Sequence, residues 1–115
     1  MSVGTPFTDD RGTITDLLGG IDSVTEIVTV AGAIRGNHVH HHTTQVTYVV
    51  TGMLRVVTPD RARVIAPGEM WIDKPGVPHA WKALTDTVCL VFTKGPRSGA
   101  DYESDTERLE EPLIK

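Results

Sequence analysis

No stretch of this chain keeps a helical period. Its apolar residues come instead as short runs of Thr, Val and Ile, each soon broken by Gly, Pro or Asp. Branched side chains in short runs between turn formers read as the strands of a sandwich or barrel. The expected strands are Thr13–Leu17, Val24–Val30, Gly36–His40, Gln45–Thr51, Met53–Thr58, Arg63–Ile65, Met70–Ile72, His79–Ala83 and Thr87–Thr93. Thr51-Gly52 reads as a tight hairpin, since Gly accepts the positive φ that such a turn needs. Pro59-Asp60 and Ala66-Pro67-Gly68-Glu69 read as further turns. There is no internal repeat, and the fold class is all-β.

The strand Gln45–Thr51 constrains the fold further. Alternation puts Gln45, Thr47 and Val49 on one face and Val46, Tyr48 and Val50 on the other. A half-exposed strand would show a polar outer face, but this one is apolar there, so that face needs a cover. The N-terminal segment or a second copy of the chain would supply it, and a homodimer is the expectation.

The chemistry concentrates in the histidines. All five fall in two blocks, Gly32-Ala-Ile-Arg35-Gly36-Asn37-His38-Val39-His40-His41-His42 and Pro75-Gly76-Val77-Pro78-His79. His-x-His on a strand turns both rings to one face, and neutral imidazole is the commonest protein ligand for a transition metal. By the same alternation His41 points away from His38 and His40, while His42 stands near the bend between strands.

At 115 residues the chain is long enough for one domain with its own core. A formal charge of −4 offers no basic footprint for nucleic acid. The acids gather late in the chain, at Asp101, Glu103, Asp105, Glu107, Glu110 and Glu111. Residues 1–97 are expected to form one barrel. Residues 98–115 are expected to form an acidic, solvated tail, with a short turn at Asp105–Leu109 and Leu109, Leu113 and Ile114 as pinning residues. A single cysteine, Cys89, excludes an internal disulfide and reads as a core residue. The opening Met1-Ser-Val-Gly-Thr-Pro lacks the features of a signal peptide, and no run is apolar enough to span a bilayer. A cytoplasmic protein acting on a small molecule, with no membrane partner, is the expectation.

The two histidine blocks resemble the two motifs of the cupin superfamily. Gly32, His38, His40 and Gly52 stand in register with the first, and Gly68, Gly76 and His79 with the second. Gln45 occupies the position of the usual glutamate, Lys74 that of a proline, and Ala83 that of the terminal asparagine. The resemblance implies a small single-domain cupin, a jelly-roll (double-stranded β-helix) barrel with one divalent metal near its mouth. The metal could be zinc, nickel, manganese, iron or cobalt. The implied ligands are His38, His40, Gln45 and His79. A histidine-rich site with one glutamine resembles polyketide cyclase and uronate-linearising cupins. Arg35-Gly36-Asn37-His38-Val39-His40 and Asp10-Arg11-Gly12 resemble segments of cupins that isomerise or epimerise keto sugars attached to nucleotides.

A glutamine ligand is neutral, which strengthens Lewis-acid pull and removes a carboxylate able to act as base. The resulting expectation is a metal-dependent enzyme of non-redox carbonyl chemistry (isomerisation, epimerisation or cyclisation) on a keto sugar, uronate or polyketide. Arg35 is expected to grip an anionic group and His42 to serve as a pocket base. Trp81, Thr47 and Met53 are expected to line the pocket. The competing readings are an iron-dependent cupin dioxygenase, a non-catalytic metal- or sugar-binding cupin, and a metal-free sugar-nucleotide isomerase.

Overall fold

In chain order the strands are β1 (Phe7–Asp9), β2 (Gly12–Ile14), β3 (Ser23–Thr29), β4 (Ile34–His40), β5 (Thr44–Thr51), β6 (Leu54–Val57) and β7 (Ala62–Ile65). They continue as β8 (Met70–Asp73), β9 (His79–Ala83) and β10 (Thr87–Lys94), then helix α1 (Gly99–Asp105) and strand β11 (Thr106–Arg108). The computed structural model describes residues 4–97 and 99–115. The start of the chain, Met1–Val3, and the tail boundary at Ser98 lie outside the described residues.

Two antiparallel sheets face each other, one ordered β3-β10-β5-β8 and the other β11-β4-β9-β6-β7. This is the jelly-roll barrel expected of the sequence. The barrel interior changes character along its axis, and the rows of paired residues show how. The row Ile27–Cys89–Val49 is apolar, and the next, Thr25–Val91–Thr47–Trp71, is mixed. The row Ser23–Thr93–Gln45–Asp73 is polar throughout. At the apolar end Val49, Leu54, Val56, Ile65, Cys89 and Trp81 close the core. The polar end stays open and forms a pocket.

Gly52 turns β5 into β6 with φ 84°. A Cβ there would collide with the Asp86 carbonyl and with Thr87, so both the torsion and the space call for glycine.

The outer face of the first sheet is apolar. Val24, Phe92, Val46 and Ile72 lie in one row across all four strands. Val24 and Ile72 are exposed, while Val46 is buried. Strand β5 thus has the apolar outer face its sequence implies. The N-terminal hairpin β1–β2 pairs with neither sheet, and its Phe7 and Ile14 are 60% and 68% exposed. The radius of gyration is 14.9 Å, above the roughly 13 Å of a compact chain this long, as a projecting arm would produce.

The C-terminal segment corrects the expectation of a solvated tail. After α1, β11 pairs antiparallel with β4, setting Thr106 opposite His40 and Arg108 opposite His38. Asp105 and Ile114 are buried. A strand edge with unpaired amides is a stronger claim on this segment than its charge is on water. No helix among the described residues is long and apolar enough to cross a membrane.

Candidate metal centre

Three imidazoles meet at the open end of the barrel. His38 and His40 come from β4 and His79 from the start of β9, and one ring nitrogen of each lies within 4.8 Å of the others. Ring centroids are 4.5 Å apart for His38 and His40, 4.7 Å for His38 and His79, and 5.4 Å for His40 and His79. They form part of the lining of a cavity of about 430 Å³.

The local backbone of β4 explains which side chains reach this cavity. Strict alternation would put Arg35 on the face opposite His38. A bulge between Gly36 and His38 takes up the extra residue, leaving Arg35 opposite Trp81 and His38 opposite His79. All four then share the inner side. The bulge is built from Gly36 at φ 87° and Asn37 at φ 56°. A Cβ at Gly36 would stand 3.0 Å from the Ala80 Cα and the His79 carbonyl oxygen. Asn37 tolerates the left-handed conformation and uses it. Its Oδ1 accepts from the amides of Leu113 and Ile114, and its Nδ2 donates to the Ile114 carbonyl. The bulge that admits Arg35 to the pocket also anchors the chain's end.

The rings are held from behind. His40 Nδ1 and the Thr106 hydroxyl are 3.0 Å apart, and Asp105 Oδ2 is 3.7 Å from the same nitrogen. Asp105 accepts from the His42 amide and the Thr43 hydroxyl. Burial raises its carboxyl, but those two bonds together with the neighbouring His40 and His42 more than offset this and hold it below the usual carboxylate range. His79 Nδ1 lies 3.3 Å from the Val77 carbonyl and 3.8 Å from Asp73. Asp73 itself accepts from the Trp71 indole at 2.9 Å. Burial pushes the Asp73 carboxyl up to about 7 against that bond.

All three imidazoles are held neutral. Burial, then the neighbouring His79, His40 and Arg108, brings His38 down to about 3. Burial and His79 lower His40, and burial lowers His79. Neutral nitrogen is the form that ligates a metal. Among the described residues, the only buried side-chain nitrogen or oxygen atoms without a partner are Ser23 Oγ and His40 Nε2. A buried polar atom left bare is costly unless something completes it, and His40 Nε2 belongs to the triad of rings. The residues therefore fit a divalent metal.

Gln45 lines the same cavity. Its Nε2 is 3.5 Å from the Thr93 hydroxyl, and it stands beside the His40 ring without a well-formed hydrogen bond to it. Trp81 and Thr47 are in the cavity wall, and so is Arg35. The Arg35 guanidinium donates to the Thr29 hydroxyl at 2.9 Å and to the Val28 carbonyl at 3.2 Å.

Two expected pocket residues lie elsewhere. His42 is exposed on the loop after β4, its ring 6.5 Å from His41, because its amide is turned inward to cap Asp105. Met53 sits exposed at the β5–β6 turn, at the end of β5 remote from Gln45. Neither lines the cavity. Asp10-Arg11-Gly12 forms the turn of the projecting hairpin, with Arg11 paired to Asp9 at 2.7 Å.

Sequence reasoning missed Asp73, Thr106, Tyr102, Arg97 and Arg108. All but Thr106 line the cavity. Asp73 lies one residue beyond the expected strand Met70–Ile72, and its place beside Gln45 is set by the β5–β8 ladder. Tyr102, Thr106 and Arg108 come from the segment that composition alone assigned to solvent, and Arg97 is the last residue before it.

The Cupin domain family model matches residues 26–93. No curated protein sequence matches the chain significantly. Among solved structures, QdtA, a sugar 3,4-ketoisomerase from Thermoanaerobacterium thermosaccharolyticum in complex with TDP, superposes with TM-score 0.64 at 23% identity over 94% of this chain and 85% of that one. The capsular polysaccharide assembling protein CapF from Staphylococcus aureus gives 0.66 at 22% identity over 96% of this chain. A conserved protein of Streptococcus pyogenes, SPY1581, gives 0.58 at 17% identity over 65% of this chain. This chain spans 35% of CapF and 65% of SPY1581. At these identities the likeness concerns the fold.

Proposed function

From the premise that this chain belongs to the cupin domain family, we propose that it is a metal-dependent enzyme of non-redox carbonyl chemistry. Isomerisation or epimerisation of a keto sugar is the reaction the site supports best. The observation that carries this is the trio of neutral imidazoles with His40 Nε2 left bare. His38, His40 and His79 would hold the ion, with Gln45 as the fourth donor. A divalent ion held there supplies polarisation of a substrate oxygen. Gln45 contributes an uncharged amide where a carboxylate is usual, so the donor set adds no negative charge to offset that polarisation.

The remaining work falls to the chain's own side chains. Thr106 and Asp105 fix the ring of His40 from one side, while Val77 and Asp73 fix His79 from the other. Arg35, Thr47 and Trp81 wall the space where a sugar ring would lie. The likeness to a sugar 3,4-ketoisomerase supports a keto sugar over a polyketide.

Metal content of the untagged protein, measured by plasma mass spectrometry, tests the proposal. About one equivalent of zinc, nickel, manganese or cobalt, lost in His79→Ala, is the expected result. Bound iron with oxygen consumption during turnover would overturn it in favour of a dioxygenase. A second reading, metal-free proton shuttling by the same side chains, is favoured by the Asp73–His79 pair at 3.8 Å. It requires activity that survives chelation.

We also propose a homodimer as the working form. The exposed Phe7 and Ile14 of the hairpin and the apolar row on the outer sheet offer complementary surfaces on two copies.

A further inference from the structure

Around the imidazoles the cavity wall is basic, although the chain as a whole is acidic. It carries 15 Asp and Glu against 11 Lys and Arg. The cavity lining nonetheless includes Arg35, Arg97 and Arg108, with Asp73 as its one carboxyl. Among the described residues none of these arginines makes an ion pair. Arg97 donates to the Thr25 hydroxyl at 3.2 Å, and its guanidinium stands 5.8 Å from the centre of the Tyr102 ring. Arg108 lies opposite His38 on the β11–β4 ladder, on the inner side. Arg35 is already committed to Thr29 and Val28. Arg97 and Arg108 are therefore the guanidiniums with donors to spare.

Guanidinium groups that outnumber the acids lining a polar cavity match a carboxylate or phosphate geometrically and electrostatically. We infer that Arg97 and Arg108 form an anion clamp that selects an acidic substrate, either a uronate-like carboxylate or a phosphorylated sugar. This rests on the reading of the cavity as the substrate site. It adds that the C-terminal segment, not only the barrel, determines which substrate is taken. The arrangement explains why an acidic segment is folded back over the site. Its Asp105 is tied to Thr43 and the His42 amide behind His40, and its Glu107 to His41, while its arginine and the preceding Arg97 line the cavity.

The test is calorimetric titration of the full chain, as purified and again after metal removal and dialysis. The probes are inorganic diphosphate, galacturonate and, as the neutral control, galactose. Cobalt binding on the same samples, read from its visible absorption, reports the histidine site separately. The expected result is binding of at least one anion and not of galactose. Arg97→Gln and Arg108→Gln should each weaken the anion about tenfold, with cobalt binding intact. Arg55→Gln, on the outer surface, should change nothing. Tighter diphosphate than galacturonate assigns a phosphorylated substrate, and the reverse assigns a uronate-like one. Equal binding of galactose, absence of anion binding, or wild-type affinity in both variants would overturn the clamp. So would loss of cobalt together with the anion, which would assign these arginines to the fold. Wild-type protein that binds the anion but no cobalt keeps the clamp and sinks the metal reading.

Discussion

The two ends of this chain exchange the roles their sequences suggest. The N-terminal residues are rich in strand formers, and they do form a hairpin, yet that hairpin joins neither sheet and leaves Phe7 and Ile14 in solvent. The C-terminal residues are acidic, yet they extend the β4 sheet and bury Asp105 and Ile114. Burial in this molecule is decided by partners. The C-terminal segment finds the free edge of β4, the side chain of Asn37 and the pair His42–Thr43. Among the described residues the hairpin strands pair only with each other, with Asp9 tied to Arg11 at the turn.

The comparison is broken most directly at Asp105. Its carboxylate accepts from the His42 amide and the buried Thr43 hydroxyl. Asp105→Ala strands both donors, at a cost of about 2–4 kcal/mol. Thermal unfolding should then shift down by roughly 10 °C or more. A shift of a degree or two would mean that the C-terminal segment is held by its strand pairing alone.

Thr106 sharpens the same contrast at the level of the site. Its hydroxyl fixes the His40 ring at 3.0 Å. Thr106→Val keeps the shape and removes that bond, and loss of such a supporting partner typically weakens metal binding about tenfold or more. Cobalt titration of the variant should show this with little change in thermal stability. Unchanged affinity would leave Asp105 as the sole support for the ring.

How much of this was legible in the sequence follows the same division. Short branched runs between turn formers located nine of the eleven strands, from Thr13 to Thr93, because strand and turn preferences are written into the residues themselves. His38, His40 and His79 were legible because their spacing matches their chemistry. Arg35 was named, but alternation alone would have turned it away from His38, and the Gly36–Asn37 bulge that turns it inward is a backbone event. His42 misled because an exposed imidazole and a pocket imidazole look alike in sequence. Here its amide, not its ring, is the functional group. Strand β11 carries Thr, Glu and Arg, and nothing in three residues says which edge they will meet.

Acid should act on the site between the two ends. In metal-free protein the folded values of His38, His40 and His79 lie below 6.5. The unfolded chain therefore takes up protons first, and stability falls as pH drops below 6.5. Asp73 acts in the opposite sense. The fold keeps it protonated up to about 7, while the unfolded group ionises near 3.8, so its contribution is present at low pH and lost as pH rises toward 7. Three histidines outweigh one carboxyl, and the urea midpoint should fall between pH 7 and pH 4.5. Asp73→Asn removes the opposing group and should steepen that fall. Equal slopes in the two proteins would show Asp73 to be ionised throughout this range.

The smallest effect on the folded chain belongs to the hairpin. Phe7→Ser and Ile14→Ser remove apolar groups that are 60% and 68% exposed. Among the described residues their strand partners are each other, across the hairpin, so their loss should change unfolding free energy by less than about 0.5 kcal/mol at dilutions where the protein is monomeric. The outer sheet row Val24–Phe92–Val46–Ile72 remains, so any larger consequence must come from a second copy. Sedimentation should show wild-type protein as a dimer and the double variant as a monomer, with the apparent stability of the wild type rising with concentration. A wild-type monomer at high concentration would remove the dimer and leave the hairpin without a role. A dimer that survives both substitutions would move the interface to the sheet face alone. In either case the contrast stands on the C-terminal side, where the partners lie within the chain and the cost of removing them does not depend on concentration.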